Sequence, residues 1–152
     1  MDKRGTANQV RRLSQRAAIY VRAEADHESR SSDMRVEAQL QSCRDFAQTL
    51  GADVVLQLME GDASGKTLDR RDMTRLRQSV RIRAVDMVIV MRLDRLSDRL
   101  TDVLVLWEEF EQAGVELYMV RPVKLEAGES LATLLASIKF VIAKLERALF
   151  EE

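Results

Sequence analysis

The feature that most limits what this chain can become is the run from Met87 to Met91, five apolar residues with three β-branched ones at their centre. It is too short to make a helix worth burying, and it has no polar alternate position, so it reads as a strand covered on both faces. A strand of that kind demands helices above and below it, which is an α/β layered fold. Charge begins where the run stops, with Arg92, Asp94, Arg95 and Arg99 close together at its carboxyl end. In open α/β sheets that edge is where ligands collect. Guanidinium groups bind phosphate or carboxylate without losing their charge, so the cluster predicts an anionic partner.

The rest of the chain supplies the layers. Ala17 to Arg22, Asp53 to Met59 and Val115 to Val120 read as three further strands. Between them lie amphipathic helices. One carries Met34, Val36, Ala38, Leu40, Cys43, Phe46, Ala47 and Leu50 and stops at Gly51. The next runs from a cap at Asp69 to about Arg83, with Met73, Leu76 and Val80 inward. The third is expected to start from Ser97 as cap, with Asp98 in its first turn, and to bury Leu100, Val103, Leu104, Leu106, Trp107 and Phe110 before Gly114 ends it. Strands alternating with helices imply a mostly parallel central sheet, a three-layer sandwich.

The last segment, 130–152, has the longest periodicity: Leu131, Leu134, Leu135, Ile138, Ile142, Leu145 and Leu149 form a stripe that Phe140 and Val141 widen. The stripe is broader than one sheet face needs, which points to a partner subunit. At the other end, residues 1–16 hold five basic side chains against one acid and read as a basic arm outside the core. The core domain is expected over 17–129.

Composition narrows the partners. The chain has 152 residues, enough for one domain, and its net charge of −1 rules out a bulk pull toward nucleic acid or anionic lipid. Any anion site must be local. One cysteine allows no internal disulfide, and no apolar run is long enough to span a bilayer, so a cytoplasmic protein with no membrane partner is expected. His27 stands alone, without a second ligand at metal spacing, and no metal or other cofactor is assigned. The Gly65-Lys66-Thr67 triplet echoes a P-loop, but the earlier glycine is missing at the required spacing, so no nucleotide site is assigned either.

Several stretches share a second likeness. Arg92 to Ser97, Ile19 to Arg22, Gln39, the Gly61 to Arg70 loop and Leu145 to Arg147 together resemble the catalytic domain of serine site-specific recombinases, the resolvase/invertase family. The resemblance covers about Ala17 to Glu152. It implies a mixed sheet, a homodimer or tetramer built on the 130–152 helix, DNA as the partner, and a DNA-binding region downstream, so that the sequence reads as a fragment. It also implies a metal-free reaction in which a serine attacks a phosphodiester while arginines stabilise the crowded phosphate. Arg22, Gln39, Arg70, Asp94 and Arg95 match site positions of the family, with Arg22, Arg70 and Arg95 as phosphate binders.

Two positions depart from that pattern. Glu24 stands in the nucleophile's place, and Asp98 where a catalytic arginine is expected. A negative charge ~4 Å from a phosphate costs on the order of 4 kcal/mol at an effective dielectric near 20. A carboxylate nucleophile would give an acyl phosphate that water hydrolyses, and the loop hydroxyls of Ser29, Ser31, Ser32 and Ser64 would have to move to replace it. The expectation is a catalytically impaired recombinase domain, a pseudoenzyme in which Glu24 lies among the arginines in place of phosphate. Glu24 also reads as a solvated loop residue, and Asp98 as an acid at a helix start. Three alternatives stand beside it: an active recombinase using another hydroxyl, a non-catalytic oligomerisation partner of an active one, and an unrelated anion-binding domain, for which no cofactor fingerprint is present.

Overall fold

A computed structural model describes residues 15–23, 35–60, 68, 70–123, 125 and 130–150. The chain divides into two compact units, Met1–Pro122 and Val123–Glu152.

In the first unit the short apolar runs do form strands: β1 (Arg16–Arg22), β2 (Asp53–Glu60), β3 (Met87–Val90) and β4 (Glu116–Met119). They make one sheet in the order β2-β1-β3-β4, and every pairing is parallel. The mixed sheet implied by the family resemblance is therefore absent among the described residues. The chain winds outward from β1 to β2, then crosses back and winds the other way through β3 to β4. This reversal puts a crevice at the carboxyl ends of β1 and β3, the place where such sheets bind ligands.

Alternation along β1 builds two cores. Ala17, Ile19 and Val21 meet Leu40, Cys43 and Ala47 of α1 (Val36–Leu50) on one face. Ala18 and Tyr20 meet α2 (Arg71–Arg81) and α3 (Leu100–Ala113) on the other, through Met73, Leu76, Val80, Leu106 and Phe110. The four residues of β3 are all buried, as a strand between two helical layers must be. Cys43 belongs to the α1 core, where burial pushes its thiol up to about 12.

Helix ends explain most of the differences from expectation. Gly51 and Gly114 end α1 and α3 with φ of 70° and 71°, the left-handed geometry their lack of Cβ permits. The end of α2 takes the same shape at Arg83, φ 56°, with Arg83 N–H donating to the Val80 carbonyl and Ala84 N–H to that of Ser79. Ser97 is not the cap of α3. Arg99 occupies that position, and Ser97 Oγ instead accepts the Arg99 N–H at 3.1 Å and donates to Asp102 Oδ2 at 3.0 Å. Asp98 thus precedes the helix, and Asp102 is the first-turn acid. The expected cap Asp69 lies outside the described residues; Arg70 holds the position before α2.

The second unit contains α4 (Leu131–Phe150). Ser130 starts it, accepting the Thr133 N–H at 3.1 Å. Its apolar stripe includes Phe140, Val141, Leu145, Leu149 and Phe150, all more than half exposed.

Candidate functional site

Three arginines that are far apart in sequence are buried around the crevice: Arg22 at the end of β1, Arg70 before α2, and Arg95 in a 3-10 turn, Leu93–Arg95, that follows β3. Burying a guanidinium costs several kcal/mol unless its donors are used. Arg22 uses its Nε and Nη2 donors in this way. Its Nε donates to the Arg95 carbonyl at 3.2 Å, and its Nη2 donates to the Asp94 carbonyl at 2.8 Å and to Asp98 Oδ1 at 2.8 Å. The turn after β3 is thereby tied to β1 by charge-assisted bonds.

The Arg22 carbonyl is held in turn. Gln39, buried on α1, donates Nε2 to it at 2.9 Å, and Arg95 Nη1 lies 3.5 Å from it. Arg95 Nε also reaches Asp94 Oδ1 at 3.3 Å, while Arg92 Nε stands 3.4 Å from the same oxygen. The Asp94 side chain is half exposed, so it lies at the rim, between two guanidinium groups.

Arg70 is placed differently. Its Nη2 donates to the Leu96 carbonyl at 2.5 Å, and its guanidinium lies 5.9 Å from the centre of the Tyr20 ring. Its Nε and Nη1 are buried and have no hydrogen-bond partner among the described residues. Two donors in that state favour an incoming anion.

A pair the sequence reasoning missed supports Arg70 from below. Glu60, buried at the end of β2, accepts the Met73 N–H of α2 at 2.8 Å and the Tyr20 hydroxyl at 3.3 Å. It serves α2 as a cap supplied by another element, at the end where the helix dipole favours an acid. Burial, with the Glu60 carboxylate alongside, raises the Tyr20 pKa well above its ordinary value. The signal was faint: Glu60 closes β2 directly after Leu58 and Met59, at the edge where ligands gather.

The arrangement thus brings together Arg22, Gln39, Arg70, Asp94, Arg95 and Asp98. Glu24 lies outside the described residues, as do Ser29, Ser31, Ser32 and Ser64. Among the described residues the acid that meets Arg22 is Asp98. A cavity of about 540 Å³ lined by Trp107, Phe110, Glu111 and Tyr118 lies between α3 and β4 and includes none of these arginines.

The family described as Resolvase, N terminal domain, matches residues 17–152. The chain belongs to the resolvase family. No curated protein matched it. Among solved structures, the N-terminal catalytic domain of TP901-1 integrase is similar at 26% identity and a TM-score of 0.68, over 90% of this chain and 99% of that one. A resolvase family site-specific recombinase from Streptococcus pneumoniae matches with a TM-score of 0.64 at 20% identity, over 90% and 93% of the two chains. The C-terminal catalytic domain of ISC1926 TnpA, an IS607-like serine recombinase, matches with a TM-score of 0.60 at 24% identity, over 89% and 85%. At those identities the last two speak for the fold. This resolvase chain is a serine-recombinase-type domain of DNA recombination. Among its described residues, no helix is long and apolar enough to cross a membrane.

Proposed function

We propose that this resolvase domain binds a DNA phosphodiester between Arg22, Arg70 and Arg95 and is held back from strand exchange by its own acids. The observation that carries the reading is the Asp98 carboxylate 2.8 Å from Arg22 Nη2, inside a cluster of buried arginines. An arginine in that position would add to the charge available for the phosphate; an aspartate spends part of it. All three arginines are already bonded to the site's own carbonyls or carboxylates, Arg70 through Nη2 to the Leu96 carbonyl. Arg70 has a buried Nε and Nη1 with no partner among the described residues. Phosphate oxygens would therefore dock first at Arg70, and compete with Asp98 for Arg22.

Glu24 in the nucleophile's place completes the reading. It brings a second negative charge near the end of β1 and removes the hydroxyl that would carry the DNA strand as a phosphoester. Gln39 is a positioning residue here, fixing the carbonyl of Arg22, and Asp94 orients Arg95. The domain is a cytoplasmic oligomer in this reading, assembled through α4, whose apolar stripe is exposed. That stripe also supports a second reading, a non-catalytic partner that pairs with an active recombinase.

The test is covalent capture of DNA. The unaltered protein, the Glu24→Ser, Asp98→Arg double variant and each single variant are incubated with supercoiled DNA, and adducts and nicks are counted. The double variant is expected to form a protein–DNA adduct and the unaltered chain none. An adduct on the unaltered protein would overturn the impairment. Nicking by Asp98→Arg alone would show that another hydroxyl serves as nucleophile. Hetero-oligomers without cleavage, seen by light scattering after mixing with an active resolvase, would favour the partner reading.

A further inference from the structure

The densest run of positive charge in the sequence starts at this site and leads away from it. Residues 70–83 hold six arginines and one acid, Asp72, in a chain whose net charge is −1. Arg70 points into the crevice, and Arg77 is paired with Glu109 on α3. The other four, Arg71, Arg75, Arg81 and Arg83, are exposed. Helical periodicity puts Arg71, Thr74, Arg75, Gln78 and Arg81 on the outward face of α2, opposite Met73, Leu76 and Val80. No acid interrupts that face. Arg75 has only a 3.9 Å approach to Asp72, and the side chains of Arg71, Arg81 and Arg83 make no ion pair among the described residues.

The C-terminal end of the helix adds an independent sign. Arg83 occupies the left-handed position of the α2 ending, φ 56°, where glycine or asparagine would sit without strain. With Arg77, Arg81, Glu109 and Gln112 it lines a cavity of about 250 Å³, in which the one carboxylate is already committed to Arg77.

We propose that the outward face of α2, from Arg71 to Arg83, is a docking surface for the phosphate backbone of duplex DNA. The ten residues from Arg71 to Arg81 span about 15 Å along the axis, the axial rise of about four nucleotides of one strand. Guanidinium forks match phosphate oxygens, and Thr74 and Gln78 add neutral hydrogen-bonding groups between them. The surface begins at the residue after Arg70, so a strand held at the crevice could continue along it. The inference rests on the DNA reading only for its choice of polyanion.

The experiment is duplex binding as a function of salt, using a DNA duplex of arbitrary sequence and the whole chain. Each phosphate contact contributes about 0.9 to the slope of log affinity against log salt. Between 50 and 200 mM salt the unaltered protein is therefore expected to lose about 40-fold more affinity than the Arg71→Ala, Arg75→Ala, Arg81→Ala variant. These alanines suit an exposed helix, so folding is preserved, and circular dichroism checks it. Arg83→Gly sharpens the test: it relieves the left-handed backbone, so thermal stability should not fall, while the salt-dependent loss shrinks by about 3-fold. Identical slopes for all three proteins would overturn the proposal. So would equal, arginine-dependent binding of polyglutamate, which would assign the face to an acidic protein. A chain that binds duplex through α2 but whose Glu24→Ser, Asp98→Arg variant never captures DNA would overturn the function proposed above and leave this surface standing.

Discussion

Arg22 and Arg70 are buried to nearly the same degree, 3% and 6% exposed, yet they are held in opposite ways. Arg22 is tied down through Nε and Nη2: two main-chain carbonyls and Asp98 accept from them, and its own carbonyl is fixed by Gln39. Among the described residues Arg70 donates to the Leu96 carbonyl alone, and its buried Nε and Nη1 have no partner. Arg22 is a structural tie that also carries charge; Arg70 is a buried charge with few of its donors used among the described residues. The contrast separates what a buried arginine contributes to folding from what it contributes to binding.

Replacement of each arginine is the most direct way to break this contrast. Arg22→Met strands the carbonyls of Asp94 and Arg95 and frees the turn after β3, and should cost about 3 kcal/mol, or roughly 10 °C in Tm for a domain of this size. Arg70→Met removes a charge whose burial is poorly compensated, and should lie within about 1 kcal/mol of the unaltered protein. Denaturant titration of both variants decides the matter. Equal losses would mean that Arg70 is as fully tied down as Arg22. Both changes should abolish stabilisation by added sulfate, because binding draws on the two charges together.

The supports beneath the two arginines come next in size. Glu60→Ala leaves the Met73 N–H and the Tyr20 hydroxyl unpaired and should cost about 2 kcal/mol, whereas Glu60→Gln keeps an acceptor and should cost about half of that. Asp98→Ala should cost about 1 kcal/mol at most, since that carboxylate is half exposed. The same variant should gain more stability from sulfate than the unaltered chain does, as Arg22 becomes available. Melting curves with and without sulfate measure both effects, and an unchanged sulfate response would remove Asp98 from the account of Arg22.

How much of this was legible beforehand depends on range. The strand at Met87 to Met91, the glycine stops at 51 and 114, and most of the inward faces of α1 to α3 follow from local periodicity and emerged as expected, whereas Leu50 and Leu100, expected inward, lie exposed at a helix end where the periodic face no longer meets the sheet. The convergence of Arg22, Arg70 and Arg95 could be read only through the family resemblance, because contacts across more than 70 residues leave no local pattern. The start of α3 was misplaced by a few residues. Ser97 has the right chemistry for a cap, but its hydroxyl is engaged by Arg99 and Asp102, and Asp98 is drawn out of the helix to Arg22. Glu60 was missed for the same reason: its partners, Tyr20 and Met73, belong to other elements.

The smallest effect comes from the opposite edge of the sheet, where Arg16 and Asp86 form the counterpart of the Arg22–Asp98 pair with both partners in water. Arg16 N–H and Nε donate to Asp86 Oδ2 at 2.8 and 3.1 Å, and Nη2 to Oδ1 at 3.1 Å. These bonds hold the Asp86 carboxyl below its ordinary value of 3.8. A carboxyl depressed in the fold stabilises it fully above its unfolded value and loses that contribution as pH falls through the folded one. The Tm difference between the unaltered protein and Asp86→Asn should therefore be constant from neutral pH down to about pH 5, and shrink below pH 3.8. Because both side chains are more than a third exposed, the gap should also close in high salt, whereas the loss in Asp98→Ala should shrink less, Arg22 being buried. A salt response equal in the two variants would mean that burial of one partner does not protect a pair from screening, and the distinction between the two edges of the sheet would fail.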